Sequence, residues 1–306
     1  MPEQINRSSI ELPPAVSRVI LQKVQESSAI MRLAQEIPLP GSGVTIPVIT
    51  GDPEAEWVGE TENKPVSRPQ LGNKKMQAYK LAVIVPFSNE FRRDAETLFN
   101  ALVGRLPNSL AVKFDKTSIG AASKPGENFD SFTTCTAQSL IATQTASTYD
   151  GLVAADTDIA IHGGELSGFA ISPQARGILL NAKDDQGRPL FVNSVAEGAI
   201  PMILGVPTYR NKGVYKPGTA AASGTSGTPA VVGVAGDWSK ALYGTVEGVK
   251  VDISDQATLT YEDDEGQTVT LNLWQRNMFA VRAEIECGFR ADLECFNLLT
   301  GAVPNA

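Results

Sequence analysis

Residues 279–290 keep one alternation for a dozen positions. Phe279, Val281, Ala283, Ile285, Cys287 and Phe289 are interleaved with Ala280, Arg282, Glu284, Glu286, Gly288 and Arg290. Period two sends successive side chains to opposite faces of a strand, so this segment predicts a half-buried strand of more than ordinary length. Cys287 falls on its apolar face, and Cys295 would share that face if the strand continued. With Cys135 they make three cysteines, an odd and sparse set. At roughly 3.3 Å per residue, two cysteines eight apart in an extended segment lie outside bridging distance. Reduced, buried thiols are expected.

Upstream, residues 1–12 are polar and without period, and read as an extended arm. Pro13-Pro14 opens a helix carrying Val16, Val19, Ile20 and Val24 at helical spacing. Residues 29–37 fit either a strand or a helix end, broken by Pro38, Pro40, Gly41 and Gly43. Val44, Ile46 and Val48 then alternate in a short strand, where Pro47 marks an edge. From Gly51 to Lys80 there is no sustained core pattern. Acids come first (Asp52, Glu54, Glu56, Glu60, Glu62) and bases later (Lys64, Arg68, Lys74, Lys75, Lys80). A return strand over Met76–Val85, ended by Pro86, completes a long hairpin. So long a loop argues against a place inside a compact domain, unless the loop works outside it.

Ser88 is placed to cap a long helix. Phe91, Ala95, Leu98, Phe99, Leu102, Val103, Leu106, Leu110 and Phe114 form its apolar stripe. Pro107 predicts a kink or a division, and Gly120 with Lys124-Pro125-Gly126 closes the segment. Between about 135 and 270 short apolar runs alternate with helical patterns. Helical spacing covers 148–158, a strand 168–171, a helix 173–181, a turn 184–187, and strands 203–209, 231–234 and 241–253, the last interrupted at Gly244 and Gly248. Gly218 to Pro229 is a small-residue surface loop.

The chemistry expected of an enzyme is scarce. His162 is the single histidine, which excludes metal sites needing two imidazoles from one chain. His162-Gly163-Gly164 has a counterpart in esterase oxyanion loops, but no Gly-x-Ser-x-Gly elbow accompanies it. A partly exposed histidine at a helix end is expected instead. Cys135 has no nearby cation to make it a thiolate. Tyr261 to Gly266 imitates a calcium loop, but Tyr261 stands where a carboxylate is required, so a solvated hairpin tip is expected. Asp156 and Asp158 read as helix-end solvation, and neither a P-loop nor a dinucleotide fingerprint occurs. No catalytic, cofactor-binding or metal residue is assigned. Net charge is −8, which disfavours generic phosphate-backbone binding. Lys74-Lys75 is too short a basic run to reverse that. The 42% apolar content allows a sizeable core, yet no stretch approaches the roughly 20 apolar residues of a membrane span. The start, Met1-Pro2-Glu3-Gln4, has no signal-peptide pattern, so a cytoplasmic protein is expected.

The order is arm, helix, strand, charged hairpin, long helix, inserted α/β module and long return strand. Inside it several motifs, each weak alone, occur in the right order. Ala55-Glu56-Trp57-Val58-Gly59-Glu60 is followed by Lys80-Leu81-Ala82-Val83-Ile84-Val85-Pro86-Phe87-Ser88-Asn89-Glu90. Asp115 and Gly120 close the helix. Ile171-Ser172-Pro173, Asp185 to Leu190, Leu204-Gly205-Val206-Pro207 and Gly236-Asp237-Trp238-Ser239 punctuate the module, and Arg282 to Phe296 leads back from it. Over nearly its whole length the chain resembles the tailed-bacteriophage major capsid protein family, the Hong Kong 97-like fold. The resemblance implies an α+β chain with an N-terminal arm and short helix (1–28), peripheral-domain strands (29–50) and an extended loop (51–80). Beyond these it implies a peripheral domain with a spine helix (81–134), an axial domain (135–270) and a return to the peripheral domain (271–306).

It also implies a structural, non-enzymatic subunit that forms pentamers and hexamers and closes an icosahedral head around double-stranded DNA without reading its sequence. Scaffolding, portal and decoration proteins are candidate partners. The virion, assembled in the bacterial cytoplasm, is the expected location. The sequence begins at the arm, so either a separate scaffold assists or none is needed. Some members join subunits by a Lys–Asn isopeptide bond; Lys64, Lys74, Lys75 and Asn297 could not be aligned to it and read as surface residues. Rival readings are an encapsulin-type shell of the same fold, a tail component, and a cytosolic hydrolase using His162.

Under this reading the awkward loop becomes the working part. With no core of its own it gains stability by lying on a neighbouring subunit. Glu54, Glu56 and Glu60 on one arm and Lys64, Arg68, Lys74 and Lys75 on the other would set its register. Exposed ion pairs contribute only about 0 to 1 kcal/mol each, so Trp57 is the expected anchor, the alternative being a core residue of its own subunit.

Overall fold

The computed structural model describes residues 14–41, 43–51, 70–90, 95–143, 147–183, 186–191, 202–221, 226–246, 248–263 and 265–304. Helices α1 (Pro14–Ser27) and α2 (Ala29–Leu33) precede β1 (Gln35–Pro38), β2 (Val44–Gly51), β3 (Gln70–Met76) and β4 (Tyr79–Ser88). The long helix α3 (Ala95–Ser118) follows, then β5 (Thr136–Ser139), α4 (Thr148–Ile161), β6 (Gly168–Ile171), α5 (Pro173–Asn181), β7 (Met202–Ile203) and β8 (Val206–Arg210). The remaining strands are β9 (Val231–Gly236), β10 (Ala241–Thr245), β11 (Lys250–Ser254), β12 (Thr258–Glu262), β13 (Thr268–Asn272), β14 (Met278–Ala291) and β15 (Phe296–Thr300).

The alternating segment organises the first sheet. One edge of β14 pairs antiparallel with β4 along Met278–Cys287. Its other edge is long enough for two partners, β11 opposite Ala280–Glu284 and β10 opposite Cys287–Ala291. β1 joins β10 in parallel. Phe279, Val281, Ala283, Ile285, Cys287 and Phe289 all face the core, as the alternation predicts. Burying a large apolar side chain contributes about 1.5–3 kcal/mol, so this face alone is a major source of stability. The second sheet has the order β5-β15-β9-β6-β8-β7, with α4 and α5 packed on it. Phe132, fully buried, sits where the two sheets meet. Its ring lies 5.9 Å from Trp238, 5.5 Å from Phe289 and 5.0 Å from Phe296.

Helix ends follow local rules. Ser172 caps α5 through Ala175 N, with Pro173 in its first turn. Ser147 and Asp150 form a capping box on α4. Gly120, at φ 75°, ends α3, and Ala121 N donates back to Lys116 O. Inside the last turns of α3, Asp115 is fully buried. Ser28 Oγ donates to its Oδ1 at 2.6 Å and Ala29 N to its Oδ2 at 3.0 Å. This carboxylate therefore fixes the α1–α2 junction on the long helix. Burial pushes its pKa up to about 7 against the hydrogen bonds from Ser28, Ala29 and Ile30.

Several expectations are revised. The ambiguous 29–37 segment is helix and then strand, α2 and β1. Ser88 lies at the end of β4 and not at the cap of α3, whose first described residue is Ala95. Pro86 does not end β4, whose one partner among the described residues is β14, so the lost N–H breaks no inner ladder there. Pro107 does not divide α3. Residues 203–209 are not one strand but a tight hairpin, β7 and β8, turning at Leu204 (φ 50°) and Gly205 (φ 81°). The tip after Tyr261 is a hairpin turn, as expected, with Asp263 Oδ1 accepting from Gln267 N at 2.8 Å. The arm, Phe91, Asp184 and Asp185 lie outside the described residues.

Candidate inter-subunit hairpin and its root

β2 and β3 pair with each other from Val44↔Met76 to Gly51↔Gln70, and no third strand joins them among the described residues. The return strand expected over Met76–Val85 is thus two strands: β3 climbs back down the hairpin, and β4 joins β14. Lys80 belongs to β4, where its Nζ lies 3.0 Å from Glu284 and 3.2 Å from Glu286. The hydrogen bond and charge of Glu284, then those of Glu286, hold its ammonium up. A two-stranded hairpin is marginal by itself in water, so its root has to be held by the body.

Two devices hold it. The first is a slot. Gly244 of β10 and Gly288 of β14 are directly paired. A Cβ on Gly244 would come 3.0 Å from Met76 Sδ, and one on Gly288 2.6 Å from Gln77 O and 2.9 Å from Met76 Cγ. The missing side chains leave room for Met76, which is fully buried, and for Leu39 beside it. The second device is Arg290. Its Nε donates to Lys75 O at 2.8 Å, Nη1 to Asp130 Oδ1 at 2.6 Å and Nη2 to Asn128 Oδ1 at 2.9 Å. Asp130 Oδ2 also accepts from Ala291 N at 3.1 Å. One guanidinium therefore ties β3, β14 and the loop after α3 together.

Lys74 Nζ donates to Ala291 O at 3.0 Å, a contact within the chain, while Lys75 is exposed and uses its carbonyl for Arg290. Glu54, Glu56, Trp57, Glu60, Lys64 and Arg68 lie outside the described residues. Sequence reasoning missed Arg290, Asp130 and the glycine pair. Glycines inside two strand patterns were the available signal, since they mark close backbone approach.

Residues 10–291 match the phage capsid family. The chain belongs to that family. It is 28% identical over 300 residues to the probable major capsid protein gp17 of Mycobacterium phage D29, covering 95% of this chain and 90% of that protein. Against gp17 of Mycobacterium phage L5, also described as a probable major capsid protein, identity is 29% over 298 residues, covering 94% and 89%. A solved structure from Gordonia phage Cozz superposes with a TM-score of 0.66 at 23% identity, covering 91% of this chain and 87% of that one. The fold is the Hong Kong 97-like capsid fold.

The other sequence candidates take structural places in this capsid-family chain. His162 ends α4 with its Nδ1 2.8 Å from Asp158 O. Cys287 is sealed in the core, and burial pushes its thiol up to about 12. Cys135 is partly buried, with Sγ 3.3 Å from Leu293 O; burial, aided by the Asp130 charge, also pushes it up to about 12. Asn297, expected at the surface, is instead fully buried, its Nδ2 donating to Ala155 O at 3.2 Å. It faces α4 from β15.

Proposed function

We propose that this chain is the major capsid protein of a tailed bacteriophage, a non-enzymatic subunit whose pentamers and hexamers close into an icosahedral head around double-stranded DNA. The observation that carries the reading is the β2–β3 hairpin. It leaves the body as a pair of strands with no third partner among the described residues, yet its root is fixed by a glycine slot and by Arg290, which reaches Lys75, Asp130 and Asn128. A hairpin so firmly aimed and so poorly supported along its length suits a surface supplied by a neighbour. Acidic Glu54, Glu56 and Glu60 against basic Lys64, Arg68 and Lys75 would align it there, with Trp57 as the apolar anchor. Lys74 is half committed to Ala291 and would act closer to the root. The net charge of −8 fits a wall that encloses nucleic acid without adhering to it. Scaffold, portal and decoration proteins are the further partners of such a shell, and the host cytoplasm is its place of assembly. Electron microscopy of the chain expressed alone and with a scaffold tests this. Closed particles with five-fold and six-fold clusters are expected; tubes, open rings or a monomer under all conditions would overturn it.

A further inference from the structure

β9 passes into β10 through the 3-10 turn Trp238–Lys240, and β14 passes into β15 through the 3-10 turn Leu293–Cys295. Because β9 pairs with β15 and β10 with β14, the two turns lie side by side. A single antiparallel ribbon bends there as it crosses from one sheet to the other. Asp292 N donates to Lys240 O and Asp237 N to Cys295 O, each at 3.1 Å.

At this bend Lys240 Nζ lies 3.1 Å from Cys295 Sγ and 3.0 Å from Gly163 O, a carbonyl just past the C-terminal end of α4. The sulfur is 3.5 Å from His162 O and 3.9 Å from Asp292 Oδ2. Gly164 closes the far side, since a Cβ there would stand 3.3 Å from Sγ. Capping a helix end with a cation explains the contact to Gly163. It does not explain a thiol held against the same amine. The Cys295 side chain is buried while Lys240 reaches partly to solvent. Burial works against its charge, but Cys295, Asp237 and Asp292 carry its pKa up overall, so the neutral amine forms by proton loss to water at alkaline pH.

We propose that Lys240 and Cys295 form a covalent nitrogen–oxygen–sulfur bridge with dioxygen as oxidant, a redox-set staple across the bend between the two sheets. The neutral amine, the thiol and one dioxygen molecule give the bridge and one water. The O–O bond breaks, and one oxygen atom becomes the link through new N–O and O–S bonds. The other oxygen leaves as water, carrying one amine hydrogen and the thiol hydrogen. Nitrogen and sulfur each lose two electrons, and the two oxygen atoms take up all four. Two equivalents of a dithiol return the amine, the thiol and a second water. The bridge differs from ordinary cysteine oxidation, in which oxygen accumulates on sulfur alone.

The test uses the full chain, purified under reductant and divided between oxygen-saturated buffer and dithiol. After proteolysis, mass spectrometry should find the peptides of Lys240 and Cys295 joined. Their combined mass should equal the sum plus one oxygen less two hydrogens, and dithiol should separate them. Lys240→Arg, which keeps the cation beside Gly163 O, and Cys295→Ser should each abolish the linked species. The oxidised wild type should melt at a higher temperature than the reduced one, with no such difference in Lys240→Arg. Three results would overturn the proposal: joined peptides without the oxygen, Cys295 carried only to sulfinic or sulfonic acid, or no joined peptide from oxygen-treated wild type.

Discussion

Arg290 Nη1 and Asp130 Oδ1 stand 2.6 Å apart with side chains only 12% and 14% exposed. The pair bridges the far end of β14 to the loop beyond α3 and, through Lys75 O, to the hairpin root. Removing one member of a largely buried pair leaves the other charge without its partner.

Arg290→Ala should therefore destabilise the subunit by about 3 kcal/mol. Limited proteolysis should cut the 52–69 segment sooner than in the wild type. Arg290→Lys keeps the charge but not the fork, and should recover only part of both losses. Urea denaturation and a digestion time course check this. An unchanged cleavage rate in a measurably destabilised Arg290→Ala would separate the arginine from the hairpin.

Gly288→Val should be harmful even though valine favours strands. Its Cβ would meet Gln77 O at 2.6 Å and the Met76 side chain at 2.9 Å. Overpacking of this kind costs about 1–3 kcal/mol. The melting temperature should fall, and a second substitution, Met76→Ala, should not restore it, because the tightest clash is with the backbone carbonyl of Gln77 and the buried methionine is itself lost.

Asp115 predicts a pH dependence. Its folded value of about 7 lies above the ordinary 3.8, so the folded chain holds more protons than the unfolded chain between these values. The contribution of Asp115 to stability is highest below about pH 4, declines as pH rises through 7, and levels off above, a change of about 4 kcal/mol. In Asp115→Asn this component of the slope should vanish, whatever its constant cost. Melting temperatures from pH 4 to pH 8 for both chains decide it. Parallel curves would show that the carboxylate ionises near its ordinary value.

Trp57→Ala should leave a folded subunit, with unchanged circular dichroism and melting temperature, but lower the yield of closed particles by at least tenfold. A central aromatic anchor is worth about 2 kcal/mol or more at an interface, and every subunit repeats the loss. Sedimentation and electron microscopy report it. Normal particle yield would remove Trp57 from assembly.

Much of the architecture could be read from residue patterns where one local rule acted alone. The period of β14 and the Ser172-Pro173 start of α5 are such cases. Reading failed where distant partners decided. The sequence pattern reads β3 and β4 as one strand, because only their pairing, one with β2 and the other with β14, separates them at Gln77-Ala78. Ser88 has the chemistry of a helix cap, but its backbone is held in β4 opposite Met278. Asn297 has a polar side chain, and only the packing of α4 on β15 shows that it is interior. The hairpin was visible as an anomaly of composition. Its root was not, because Arg290, Asp130 and Lys75 are brought together by tertiary structure and share no spacing.

Both sheets take an inner strand from residues 278–300: β14 lies between β4 and the pair β10 and β11, and β15 between β5 and β9. Until these residues pair, β4, β10 and β11 in one sheet and β5 and β9 in the other each lack a neighbour. Neither sheet can close before then, and pairings this distant form slowly. A subunit is therefore complete as a building block only once residues 278–300 have taken their places in both sheets.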